Sequence, residues 1–151
     1  MKAKIRPKKS PSLAALKKRC DRAFSSYIRT RDIDRHGNTS CVTCGTTAHW
    51  KQLQCGHFIS RNYLATRFDE KNAFPQCVGC NIFKKGAYPE FAVFLTQEFG
   101  HGILQQLLNT KHQPVKFSKA DYLEMIEKFS VDAPTVKAEK PRTYKTSELD
   151  D

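Results

Sequence analysis

Two Cys-x-x-Cys pairs, Cys41/Cys44 and Cys77/Cys80, bracket a Gly56-His57 step, and Asn81 follows the second pair directly. Four thiolates in two such pairs can fill all four positions of a structural zinc ion, at about 2.3 Å per Zn–S bond. A two-residue gap lets one tight turn aim both sulfurs at the same point. Gly45, just after the first pair, suits such a turn, which often needs positive φ. Two disulfides would use the same residues. No secretory leader is read, so the thiols are expected in a reducing compartment, the cytoplasm, where metal is favoured. A rival ligand set of Cys41, Cys44, Cys55 and His57 would orphan the second pair. Cys20 falls within a helical stretch and reads as a small buried apolar residue.

The residues between and after the two pairs suit phosphodiester hydrolysis. That reaction needs a base near neutral pH, a weakly held metal and a group that holds the base in one tautomer. His57 suits the base. Asn72 can hydrogen-bond its ring and lock it. Asn81 offers a hard carbonyl oxygen to Mg²⁺ or Mn²⁺, and zinc bound to Cys80 would pin it. Taken singly, the three read as an ordinary strand-end histidine, a turn residue and a helix N-cap. Their shared order around the two knuckles is what points to a catalytic site. His36, His49, His101 and His112 have no such company.

The elements that must position these groups are legible in outline. The chain of 151 residues reads as one domain, 10–130, with a disordered basic arm over 1–9 and a disordered tail over 131–151. Ser10-Pro11 reads as N-cap and first residue of a helix ending near Arg31. Its apolar stripe is Leu13, Leu16, Cys20, Phe24, Tyr27 and Ile28. The zinc and catalytic module covers about 39–86. It contains a strand over Leu53–Ile59, a polar loop to Lys71, a short strand or turn at Asn72–Pro75 and a short helix over Asn81–Lys85. Helices follow from Pro89 to a stop at Gly100, around Ile103–Leu108, and after a capping box at Ser118-Asp121.

Net charge is +11 with a pI near 9.5, which favours a polyanionic partner. Residues 1–35 carry twelve Lys/Arg against three acids. Lys17, Lys18, Arg22 and Arg29 fall largely off the first helix's apolar stripe and can face phosphates. Lys84 and Lys85 after Asn81, with Arg61 and Arg67 in the loop after His57, are further phosphate candidates. Trp50 and Tyr63 can stack on a base or pack in the core. No run is long enough to span a membrane.

The order Cys-x-x-Cys-Gly, Gly56-His57-Phe58, Arg67-Phe68-Asp69-Glu70-x-Asn72 and Gln76-Cys77-x-x-Cys80-Asn81-x-x-Lys84 resembles the HNH nucleases. It is more closely similar to the NinG/Rap family of lambdoid-phage recombination endonucleases, over about residues 16–130. Recombination endonuclease VII is similar around the Cys-x-x-Cys-Asn step. The resemblance implies an α+β fold with a small ββα-metal core, a treble-clef zinc and surrounding helices. It implies Mg²⁺- or Mn²⁺-dependent cutting of branched DNA such as Holliday junctions and D-loops. By this likeness His57 is the general base, Asn72 the middle asparagine and Asn81 the metal ligand. Many such nucleases place a metal ligand just before the base, where this chain has Gly56. Glu70 and Asp69 are candidates to replace it, with Gln54 and Cys55 behind them. Alternatively His57 itself binds the metal.

Branch selectivity is served by two active sites, so a homodimer through the N- or C-terminal helix is expected. The alternatives are a non-enzymatic zinc module that binds nucleic acid and a sequence-reading HNH nuclease.

Overall fold

The computed structural model describes residues 9–130, so most of the basic arm and all of the expected tail lie outside it. The architecture is α+β. Helix α1 (Leu13–Thr30) leads into a hairpin of β1 (Asn38–Ser40) and β2 (Thr47–His49). A 3₁₀ turn at Trp50–Gln52 precedes a second hairpin, β3 (Gln54–His57) and β4 (Ala73–Gln76), whose connection carries the short helix α2 (Leu64–Arg67). A five-residue π turn, Gly79–Phe83, follows, then α3 (Tyr88–Phe99), α4 (Ile103–Lys111) and α5 (Lys119–Ser130).

Each sheet has two antiparallel strands. In the second, Gln54 pairs with Gln76, Gly56 with Phe74 and His57 with Ala73. Side chains alternate across a pleated ribbon, so its two faces can serve two cores. On one face, Ala73 packs with Leu16, Cys20, Phe24 and Ile28 of α1 and with Tyr122 and Phe129 of α5. On the other, Phe74 packs with Phe91, Phe94 and Leu95 of α3 and Ile103 and Leu107 of α4. A two-stranded hairpin is marginal alone; here helices cover both sides.

Most expected elements are present with shifted edges. The first helix is capped by Ser12, not Ser10: Ser12 Oγ accepts from the Ala15 amide at 3.2 Å, and the helix starts at Leu13. Pro11 therefore precedes the cap rather than opening the first turn. The strand expected over 53–59 is the shorter β3. The helix expected over 81–85 is instead the π turn, which begins inside the second knuckle because the Lys84 amide bonds the Gly79 carbonyl at 2.9 Å. The capping box is reciprocal: Ser118 Oγ accepts from the Asp121 amide at 3.2 Å, and Asp121 Oδ2 accepts from the Ser118 amide at 2.7 Å. The Ser118 hydroxyl also donates to Asp121 Oδ2, at 2.8 Å, and together with the Ser118 amide it holds the Asp121 carboxyl below its ordinary range.

The stripes offered for a dimer contact by α1 and α5 meet each other inside the chain. Phe129 sits at their junction, with ring centroids 4.9 Å from Phe24 and 5.3 Å from Tyr27. Truncating a buried phenylalanine costs about 3–5 kcal/mol. Phe129→Ala is expected to lower stability by that order in urea denaturation of the zinc-loaded chain. A change near zero would show that α5 is not part of this core.

Candidate metal cluster and catalytic cleft

Turn chemistry builds the first knuckle. Gly45 takes φ +79, its amide bonds the Cys41 carbonyl at 2.8 Å, and the Cys41 amide bonds the Thr46 carbonyl at 2.8 Å. The Val42 amide bonds the Pro75 carbonyl at 3.0 Å, tying this knuckle to β4. In the second knuckle the Cys80 amide points at Cys77 Sγ, 3.4 Å away. Gly79 needs no positive φ there, because the turn is helical.

The two knuckles converge. Four sulfurs held tetrahedrally at about 2.3 Å from a zinc ion lie about 3.8 Å apart. Cys44 Sγ and Cys77 Sγ are 3.7 Å apart, and all four sulfurs of Cys41, Cys44, Cys77 and Cys80 lie within 4.8 Å of one another. All six cysteines are free thiols, so the disulfide alternative does not hold here. The rival set does not form either. Cys55 packs beside α1, where burial pushes its thiol up to about 12, and His57 bonds elsewhere. Burial also pushes the Cys80 thiol up to about 12, whereas at Cys44 burial is outweighed by the hydrogen bonds of Thr46, Cys41 and Cys77 together, which bring it down to about 7. A cation in the cluster reverses the cost of holding four thiolates together.

Beside the cluster lies a cleft of about 530 Å³ whose lining includes His57, Asn81, Gln54 and Arg61. β3 supplies the strand wall, the π turn a second wall, and α1 the third through Asp21, Ser25 and Arg29. Asn81 follows Cys80, and its amide bonds the Cys77 carbonyl at 2.9 Å. Its Nδ2 donates to Gln54 Oε1 at 2.7 Å, which leaves Oδ1 as the carboxamide's ligating atom. His57 Nε2 lies 3.0 Å from the Arg67 carbonyl. A carbonyl only accepts, so Nε2 bears the proton and Nδ1 the lone pair. Desolvation by burial is the main cause that lowers the His57 pKa below 6.5, with help from the Arg61 and Arg67 charges; the Arg67 and Cys55 carbonyls oppose it. The burial therefore favours the neutral imidazole.

Asn72 does not touch the His57 ring, contrary to expectation. It is fully buried. Its Oδ1 accepts from the Ile59 amide at 2.7 Å, and its Nδ2 donates to the Ile59 and Thr66 carbonyls at 3.0 Å. It clamps the two ends of the loop that presents the Arg67 carbonyl, and so reaches His57 through the backbone. Glu70 is likewise not in the cleft. Tyr27 donates to its Oε2 at 2.8 Å and Lys128 pairs with its Oε1 at 2.7 Å, joining α1 to α5. These partners overcome burial and hold its carboxyl below the ordinary range. Asp69 Oδ1 accepts from the Lys71 amide at 2.9 Å within its own turn.

The position before the base is glycine for a packing reason. A Cβ on Gly56 would meet Gln76 Oε1 at 1.9 Å. Buried Gln76 spans that space and donates to Thr43 Oγ1 at 3.2 Å and the Gly86 carbonyl at 2.9 Å.

The basic candidates separate into two groups. Arg67 is held by Asp21, at 2.8 Å from Nε and 2.7 Å from Nη2, so it braces the cleft instead of waiting for phosphate. Arg29 lies over the Trp50 ring at 5.0 Å and is half-buried, which lowers its pKa. Arg61 lines the cleft, and Lys84 and Lys85 are exposed beside it. Lys18 and Arg22 are exposed on α1 away from the cleft lining, and Lys17 borders a separate groove with Phe117 and Tyr122. Tyr63 is partly exposed, near the His112 ring.

Sequence reading missed Asp21 and Ser25 as parts of the site. The signal was available: Asp21, Ser25 and Arg29 repeat every four residues, each one place after Cys20, Phe24 and Ile28 of the buried stripe.

A family model described as Bacteriophage Lambda NinG protein matches residues 1–139. The chain belongs to the NinG family. Protein ninG of Salmonella phage P22 is 32% identical over 93 residues, covering 60% of this chain and 42% of that protein. Protein ninG of Escherichia phage lambda is 28% identical over 119 residues, covering 73% and 55%. This NinG-family chain thus spans about half the length of the curated relatives it matches. No solved structure matches it. Among the described residues, no helix is long and apolar enough to cross a membrane.

If zinc fills the cluster, elemental analysis finds one zinc per chain and Cys77→Ser loses both the metal and the folded module. A metal-free wild type with unchanged circular dichroism would contradict this.

Proposed function

We propose that this NinG-family chain is a metal-dependent DNA endonuclease that cuts branched recombination intermediates such as Holliday junctions and D-loops. One observation carries the reading: a buried histidine held by the Arg67 carbonyl, His57, shares a cleft with Asn81 and Arg61, beside a four-sulfur cluster. Zinc held by the four cysteines would be structural, the treble clef of an HNH-type ββα-metal core built from β3, β4 and the π turn. His57 takes a proton from the attacking water through Nδ1, while the Arg67 carbonyl keeps the ring aligned. Arg61 and the lysines that follow Asn81 steady the phosphate. Host cytoplasm, where recombining DNA is found, is the proposed site of action.

Asn81, with Gln54 beside it, would hold Mg²⁺ or Mn²⁺, which supplies positive charge against the leaving oxygen. The donor set fits a weak site. Mg²⁺ usually keeps several waters and takes one or two carboxylates plus substrate phosphate, and the one carboxylate lining the cleft, Asp21, is paired with Arg67. DNA phosphate would supply the remaining charged donor. The same pairing also favours a second reading, a zinc-stabilised module that binds nucleic acid without cutting it.

Nicking of a four-way junction separates the two. With Mg²⁺ or Mn²⁺ present, the wild type is expected to nick, EDTA to stop it, and His57→Ala to lose on the order of 10²–10⁴-fold in rate with zinc content and melting temperature retained. Because burial depresses the His57 pKa and the neutral ring is the active form, the rate is expected to rise with pH through a midpoint below 6.5 and then to level off. Undiminished cutting by His57→Ala would falsify the assignment.

A further inference from the structure

The turn after the second knuckle exposes apolar surface that the catalytic reading does not use. Phe83 is 80% exposed and Ile82 55%, with Tyr88 and Val78 also open to solvent nearby. Ile82 lines the cleft that holds Asn81 and His57, so this surface continues directly from the site. Lys84 and Lys85, both exposed, follow immediately.

The turn is also held stiffly. Lys85, Gly86 and Ala87 take φ of +52, +95 and +46 in succession, a conformation that Lys and Ala rarely adopt. Strain of this kind persists only when the surroundings over-determine it, and it clusters at functional sites. Here the Gly86 amide bonds the Cys80 carbonyl at 2.9 Å, and buried Gln76 bonds the Gly86 carbonyl at 2.9 Å. The Lys84 amide closes the π turn on Gly79. The sulfur cluster lies beneath. The backbone that carries Phe83 is held in this way while its ring stands in solvent, with no packing role among the described residues.

We infer that Ile82–Lys85 is a rigid stacking platform for unpaired nucleotides: Phe83 stacks on a base, and Lys84 and Lys85 take the neighbouring phosphates. The inference rests on the DNA-cutting reading and adds to it the class of substrate feature recognised. Charge selects this occupant. An apolar surface flanked by lysines suits a π-face on a polyanionic backbone, which is how sequence-tolerant single-strand binding works. Rigidity helps, since the backbone that presents the ring loses little freedom on binding.

Binding is measured with full-length zinc-loaded protein by fluorescence anisotropy, using a fork with unpaired arms and a blunt linear duplex. Phe83→Ala is expected to weaken fork binding roughly tenfold and to leave duplex binding and the melting temperature unchanged. Phe83→Trp restores fork affinity, and its emission is quenched on binding. Equal weakening on both DNAs, or none on the fork while the wild type still binds and nicks, overturns the platform and leaves the endonuclease reading standing. Loss of self-association in Phe83→Ala, with DNA binding intact, makes the surface a contact between copies and also overturns it. A wild type that neither binds nor nicks DNA defeats the underlying reading, and the platform with it.

Discussion

The convergence of four sulfurs from two knuckles organises everything else in this molecule. Cys44 and Cys77 lie 33 residues apart in sequence, yet their sulfurs are 3.7 Å apart. Ordering such a loop costs entropy, and packing thiols together disfavours their ionisation. A divalent ion held there would remove the second cost and offset the first. The sheets cannot serve this role, since each has only two strands. Because the cluster joins the β1–β2 hairpin to the turn that follows β4, the residues next to its sulfurs are placed by it. Asn81 is one of these, and the strained run at 85–87 is another consequence.

α1 supplies the opposing wall. Its buried stripe binds it to β4 and α5, and the polar row beside that stripe faces the cleft. Asp21 grips the Arg67 guanidinium, and the Arg67 carbonyl in turn receives the His57 ring proton. Asn72 clamps the same loop from within. The histidine is therefore oriented through a side chain–backbone relay that includes helix, loop and strand. The desolvation that favours its neutral ring comes from the same packing, including Phe24 at 5.8 Å.

How much of this the sequence revealed follows from the range of each interaction. The knuckles were legible because the two-residue gap is a covalent constraint. α1 and α3–α5 were legible from helical periodicity. The β1–β2 hairpin was not, since three residues per strand leave no alternation to read. Ser10 before Pro11 has the local pattern of a cap, yet Ser12 is the cap, and only the geometry at Ala15 distinguishes the two serines. Glu70 and Asn72 were placed by adjacency to the motif, but their partners come from α1, α5 and a loop closure that local sequence does not disclose. Arg31 makes the same point: counted among the charges for nucleic acid, it bonds the carbonyls of Glu70 and Ala73 at 2.9 and 3.0 Å and lies over Phe74. Gly56, a departure from the nuclease pattern in sequence, is explained in space by the Gln76 side chain lying across it.

The central proposal is that the sulfur cluster brings Asn81 and His57 to one cleft, where a divalent cation would meet substrate phosphate. Paramagnetic relaxation tests it most directly. Mn²⁺ is titrated into zinc-loaded protein bound to a short single-stranded oligonucleotide, and NMR signals of the Asn81 carboxamide and the His57 ring are followed. Selective broadening of both at the first equivalent is the expected result. Broadening confined to surface carboxylates, with those two signals unaffected, would contradict the account.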